Sequence, residues 1–199
     1  MGRPRKVSDE EILAAARRAF LAQGVNVSAT DIAPEIGISH TTIFNRFGSK
    51  EALMIAALGP PERIPWVATL EAGPDERPIR QQLLEHAKVM AAYFEELQAG
   101  LSVLGAAGIA SAPVCDEAEE GSSPAQAFQA LAAWLRRAQA QGRLAECDVE
   151  TLTSTILGAL HNFAFKRQVC SQPICPSDKE RHVERFIDLL WSGIGVAER

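Results

Sequence analysis

The chain is poor in the features that mark most other protein classes. Only 6% of its residues are aromatic and tyrosine occurs once, within a 47% hydrophobic content rich in alanine and leucine. That balance favours helix over sheet, whose strands draw on aromatic and β-branched side chains. No stretch alternates apolar and polar residues over a useful strand length. There is no run of eighteen apolar residues, and the charged start MGRPRKVSDEE has no apolar stretch behind it. Neither a membrane span nor a secretory leader is expected, which places the chain in the cytoplasm.

Metal-binding and catalytic patterns are missing as well. The four cysteines, Cys115, Cys147, Cys170 and Cys175, include no CxxC pair, and Pro173 stands between the last two. They read as structural or incidental thiols, with a redox or metal role as the alternative. Gly-rich phosphate loops, HExxH and GxSxG are absent, so no cofactor or metal centre is expected and a small helical enzyme is only the last alternative reading.

A surplus of positive charge is lacking too. The net charge of −5 argues against a protein that coats nucleic acid indiscriminately. By segment, residues 1 to 58 hold seven basic and six acidic side chains, a balance of +1 that leaves −6 for the remainder. The basic part is where a DNA contact would sit, and the acidic part would be repelled from phosphate. A ligand-independent architectural DNA binder, the alternative reading, would call for a basic chain.

What the sequence does contain is a stretch from Ser28 to Lys50, SATDIAPEIGISHTTIFNRFGSK, that reads as two short helices and a tight turn. Ala33, Gly37 and Ile43 supply a small residue at the helix crossing, a glycine for a left-handed turn, and an apolar anchor under the second helix. Ile32, Ile36, Ile38 and Phe47 complete an interior, leaving Ser39, His40, Thr41, Thr42, Asn45 and Arg46 outside. Short polar side chains in the first turn of that second helix can reach base edges. Pro34 breaks a local rule, because it cannot donate to the Thr30 carbonyl, and a bend is expected there.

In chain order, Arg3 and Arg5 lie in a short basic arm that either follows phosphates and the minor groove or is a plain charged tail. Ser8 and Glu11 form a capping box that starts a helix over 9–23, ended by Gly24. Ser28, Ser39 and Ser49 cap the next three helices, and Lys50 with the adjacent amides can hold phosphate. Gly59-Pro60-Pro61 marks a boundary, giving domains 1–58 (arm 1–7, connecting helix 50–58) and 59–199.

Beyond it the pattern predicts a short segment near Trp66 to Leu70, a helix from Pro78 to Ala99, and a separate buried helix over Leu101 to Ala110 that Gly105 and Gly108 let neighbours approach. An acidic loop from Ser111 to Ser123 follows, then helices from Pro124 to Gln141, from an Asp148 cap to Val169, and from a Ser177 cap onward. The fold class is all-α with about nine helices: a three-helix helix-turn-helix domain, then a larger helical domain for ligand binding and dimerisation. The penultimate helix is apolar on more than one face, as a helix serving both a core and a partner must be. Candidate interface residues are Leu152, Ile156, Leu160, Phe163, Val183, Phe186, Ile187, Leu190 and Trp191. Trp66, His86, Met90, Phe94, Phe128, Trp134, His161 and Phe165 either line a cavity for a small apolar or amphipathic effector or are plain core.

Residues 8 to 58, and DIAPEIGISHTTIFNRFGSKEAL above all, resemble the N-terminal domain of the TetR family of bacterial transcriptional regulators. The resemblance implies a homodimer built on the last two helices, a palindromic double-stranded operator, and release by a small molecule bound in the C-terminal domain. It places Thr30, His40, Thr41 and Thr42 where the family reaches bases, and Ser39, Phe44, Arg46 and Lys50 where it holds phosphate. Phe44 stands where tyrosine is usual and Arg46 where histidine is usual, so a phenolic contact is lost and a permanent charge is gained. The expected function is a sequence-specific regulator, a repressor in this reading.

Overall fold

Local capping chemistry sets most of the helix boundaries. The computed structural model describes residues 7–109, 122–169 and 176–193, with side chains of the last stretch described from residue 180. Among the described residues there are nine α-helices and no strand: α1 Asp9–Gln23, α2 Ala29–Ile32, α3 His40–Phe47, α4 Lys50–Leu58, α5 Val67–Glu71, α6 Ile79–Ala106, α7 Ser123–Ala140, α8 Val149–Val169 and α9 Pro176–Ser192. Ser8 accepts from the Glu11 amide at 3.1 Å while Glu11 accepts from the Ser8 amide at 2.9 Å, the reciprocal pair expected at the start of α1. Asp148 accepts from the Thr151 amide at 3.1 Å and hydroxyl at 2.7 Å, and these bonds hold its carboxyl below the usual carboxylate range.

Three expectations are corrected by backbone geometry. The bend at Pro34 takes the form of a change of helix type: α2 ends at Ile32 and a 3-10 turn covers Ala33–Ile36. A tighter turn dispenses with the α-type bond that Pro34 cannot donate, and Gly37 at φ +70° reverses the chain. Leu101 to Ala106 is no separate helix but the end of α6, which runs unbroken from Ile79. Within it Gly105 has open space around it, whereas a Cβ on Gly100 would lie 2.3 Å from the Leu58 carbonyl oxygen. The close approach is therefore at Gly100. Finally, α9 begins at Pro176, so Ser177 falls inside the first turn, where a proline start is well tolerated. The acidic segment read as a loop lies outside the described residues up to 121, as do Arg3, Arg5, Cys115, Cys170 and Cys175.

The chain divides into two compact units, Met1–Pro61 with Leu97–Val114, and Glu62–Glu96 with Cys115–Arg199. In the first, Ile12, Ala16 and Phe20 of α1 pack with Ile32, Ile43, Leu53, Leu58 and, from the end of α6, Leu104. Arg17 donates to the Ala57 carbonyl at 3.1 Å and ties α1 to α4. The second unit is built on Leu83, Ala87, Met90 and Ala91 of α6, Leu131, Trp134 and Leu135 of α7, Ile156 and Leu160 of α8, and Val183 and Ile187 of α9. Ion pairs Lys88–Glu184 and Arg80–Asp188 join α6 to α9, and Arg167–Glu95 joins it to α8. No described helix is long and apolar enough to cross a membrane.

Candidate nucleic-acid interface

The first unit presents α3 with its apolar side down. Ile43 is buried beneath it, Gly48 at φ +78° ends it, and Ser39 accepts from the Thr42 amide at 3.2 Å to begin it. His40, Thr41, Phe44 and Asn45 are exposed. The side chains of His40, Thr41 and Asn45 make no hydrogen bond to any described residue, which leaves their polar atoms available to base edges. Thr42 is committed in part, its hydroxyl lying 2.9 Å from that of Ser39, and the Thr30 hydroxyl lies 2.6 Å from that of Ser28. Each hydroxyl keeps hydrogen-bonding capacity beyond that contact.

The charged candidates are more engaged than their positions in sequence suggest. Arg46 donates to the Val7 carbonyl at 2.7 Å and to Asp9 at 2.9 Å, tying α3 to the start of α1. A phosphate contact by Arg46 must use its remaining donors or displace Asp9, which is exposed. Lys50 donates to the Val25 carbonyl at 2.5 Å, fixing the start of α4 with two donors to spare. Asp31 accepts from the Ser28 hydroxyl at 2.6 Å and amide at 2.8 Å, and these bonds, then Lys50, hold its carboxyl below the ordinary range. Asp9 and the Val7 carbonyl are thus positioning groups for Arg46. A separation of 37 residues hides that pairing from local sequence patterns.

In the second unit the effector candidates split into two groups. Trp66 meets Tyr93 edge-on at 6.0 Å, Tyr93 meets Phe94 at 5.5 Å, and Phe94 meets His161 at 5.4 Å. His86 meets Trp134 at 5.2 Å. His86, Met90, Tyr93 and Phe94 recur at helical spacing along α6, so these contacts lie along one stripe. Phe128 instead lines a separate hollow of about 530 Å³ with Ser154 and Leu157. Phe165 is 49% exposed and joins none of these ring contacts. Tyr93 is not among the sequence candidates, though its spacing of seven from His86 marks it.

Burial pushes the His86 imidazole below its ordinary value, with Glu85 opposing; burial, then Lys166, does the same to His182, whose ring stacks on Phe163 at 3.9 Å. A depressed histidine keeps its contribution above the unfolded value near pH 6.5 and loses it as pH falls through that value towards the folded one. Thermal unfolding is therefore expected to show a Tm that drops as pH is taken from 7.5 towards 5.5, before carboxylates protonate, and His86→Gln should flatten that drop. A Tm independent of pH across that window would contradict the assignment.

Two family models match the chain, one described as bacterial regulatory proteins, tetR family, over residues 12–57, and one described as AefR-like transcriptional repressor, C-terminal domain, over residues 81–192. The chain belongs to the TetR family. Solved structures agree with this family placement. At 25% identity the chain resembles the TetR transcriptional regulator SCO0520 from Streptomyces coelicolor, with a TM-score of 0.62 over 96% of this chain and 100% of that one. PfmR from Thermus thermophilus, also at 25% identity, gives 0.59 over 93% and 99%. The fatty acid degradation regulator FadR from Bacillus halodurans shares the fold at 16% identity, with 0.61 over 94% and 100%. No curated protein matches the chain in sequence. As a TetR-family member it is a DNA-binding transcriptional regulator, and its helix-turn-helix is α2 and α3.

For this TetR-family chain, the structure sorts the dimer candidates by accessibility. Ile156, Leu160, Val183 and Ile187 are at most 1% exposed within their own chain, so they have no surface to offer a partner. Leu152, Phe186 and Leu190 are partly buried against the same core, and Phe163 is half-covered. Only Trp191 of the nine candidates is exposed. The large apolar side chains left exposed on these two helices are Phe165 and Val169 on α8 and Leu189 and Trp191 on α9.

Proposed function

We propose that this chain is a sequence-specific repressor that binds a palindromic operator in double-stranded DNA as a homodimer and leaves it when a small effector binds the second unit. Residues 1–58 read the DNA, 59–199 regulate and dimerise, and the protein works in the cytoplasm without a membrane partner or catalytic activity. The observation that carries this reading is the exposed first turn of α3, where His40 and Thr41, with Asn45 one turn on, have polar atoms not used elsewhere. Thr30 and Thr42 add hydroxyls beside it; on this reading Ser39, Phe44, Arg46 and Lys50 hold the DNA backbone, as the arm residues Arg3 and Arg5 would. The repressor assignment is supported by the C-terminal family model, whose description names a repressor.

Selection from random duplexes tests it directly. A palindrome is expected, with half-sites about one helical turn apart or a multiple of that. Base contacts of this kind contribute about 1–3 kcal/mol each, so His40→Ala and Thr41→Ala should each weaken the selected site about tenfold or more while leaving non-specific binding intact. Recovery of no palindrome, with both variants binding like the parent, would reject α3 as the reader. Phe44 is 41% exposed, so Phe44→Tyr adds a hydroxyl at an accessible ring edge. One added hydrogen bond to phosphate is worth about 1 kcal/mol per subunit, about 2 kcal/mol for the homodimer, and anisotropy titration at fixed salt should show about thirtyfold tighter binding to any sequence.

A further inference from the structure

On the outer half of α3, two side chains carry polar atoms that the fold leaves wholly unused. The helix covers His40–Phe47, and Ile43 and Phe47 hold it to the core of the first unit. At about 100° per residue, Asn45 lies about 160° from each of these anchors, so it points directly away from the core. Thr41, one turn earlier, shares that line. The residues around them are committed or have no polar group to offer. Arg46 donates to the Val7 carbonyl and to Asp9, the Thr42 hydroxyl meets that of Ser39, and Phe44 is a hydrocarbon ring. Thr41 and Asn45 are exposed, and neither side chain bonds to any described residue.

A line of that kind fits a major groove. The eight residues of α3 make a helix about 12 Å long, the width of the groove, so its second turn lies over base edges as its first does. An amide presents an acceptor and a donor side by side. In the major groove adenine shows the complement of that pair, with its N6 amino group as donor beside N7 as acceptor. Guanine sets two acceptors against the amide, cytosine offers only a donor, and thymine offers an acceptor beside a methyl group. Only adenine takes both ends of the amide on a single base. The Thr41 hydroxyl rotates, donates and accepts, and so does not discriminate in that way.

We infer that Asn45 reads one adenine in each half-site, its amide oxygen accepting from the N6 amino group and its amide nitrogen donating to N7. This contact rests on the proposed reading of DNA by α3 and names the base at its centre. Side chains one turn apart stand roughly 5–6 Å from each other at Cβ, and successive bases about 3.4 Å, so the Thr41 contact falls one or two base pairs from that adenine.

Selection from random duplexes, run in parallel on the full-length parent, Asn45→Ala and Thr41→Ala, tests the assignment. The parent should select one adenine position in each half-site that Asn45→Ala no longer selects, with the other positions kept. Thr41→Ala should keep the adenine and relax a position one or two base pairs away. Anisotropy titration then resolves the atoms. For the parent, guanine in place of that adenine in one half-site, with its paired base changed to match, should weaken binding about tenfold. Substitution by 7-deazaadenine, which lacks the N7 acceptor and keeps the amino group, should weaken it about three- to fivefold. Asn45→Ala should bind the adenine, guanine and 7-deazaadenine duplexes within about twofold of one another, which removes any effect of the analogue on the DNA itself.

The adenine contact is overturned if Asn45→Ala leaves the selected sequence unchanged, or if the position it relaxes is not adenine. It is also overturned if Asn45→Ala weakens every duplex by the same factor, as loss of a phosphate contact does, or if 7-deazaadenine weakens Asn45→Ala as much as the parent. A palindrome recovered alongside any of these results leaves the proposed function standing without this contact. Loss of the adenine from a selected site that is not palindromic would do the reverse, and a parent with no sequence preference would reject both.

Discussion

Gly100→Ala is expected to lower stability by about 3 kcal/mol, at the top of the range for forcing an extra group into a packed interior. The added Cβ would lie 2.3 Å from the Leu58 carbonyl oxygen and 3.1 Å from its carbon. Both obstacles are main chain at the end of α4, so no side-chain rotation relieves them and either α4 or α6 must move. For a chain of this length, that corresponds to a Tm fall of roughly 6–12 °C by calorimetry. Gly105→Ala on the same helix is the control. It is exposed with nothing within 4 Å of its Cβ position, so alanine should stabilise by about 0.5–1 kcal/mol through helix propensity. If Gly100→Ala leaves Tm unchanged or raises it as Gly105→Ala does, the close contact at Gly100 is wrong.

Leu189→Arg is expected to turn the protein into a monomer and weaken operator binding by about 10²–10⁴-fold, the usual gain from joining two binding heads. Leu189 is 53% exposed, so arginine fits the isolated chain, whereas in an apolar interface between two copies its charge would be buried without a partner. Light scattering at micromolar concentration reads the mass and anisotropy reads the affinity. Ile187→Ala makes the contrast, since that side chain is fully buried in its own core and truncation should cost about 2–5 kcal/mol without changing oligomeric state. A Leu189→Arg protein that stays dimeric would exclude this face as the interface.

These contrasts show what was legible in the sequence. Features decided within one helical turn were readable: the caps at Ser8, Ser39 and Asp148, the stop at Gly48, and the trouble at Pro34 all turn on neighbours a few residues away. The polar outer face of α3 was readable for the same reason, since period alone separates it from Ile43. Which face of α8 turns inward was not, because a helix apolar on several sides gives no preferred direction; Ile156 and Leu160 go into the core and Phe165 stays out. Pairings across long separations were equally hidden. Arg46 finds Asp9 and Lys50 finds the Val25 carbonyl only once α1, α3 and α4 are folded together.

One arrangement bears on how regulators of this kind can be recombined. The reading unit is discontinuous: Leu104 completes its core from the end of α6, and Leu101, Val103, Ala107 and Ile109 pack around it. A chimera that exchanges residues 1–58 with those of a relative severs that set, leaving a foreign head packed on this chain's Leu104 and Gly100. A graft intended to carry operator preference intact has to bring residues 97–109 along with 1–61, two insertions into one helix-bounded frame in place of a single cut at Gly59.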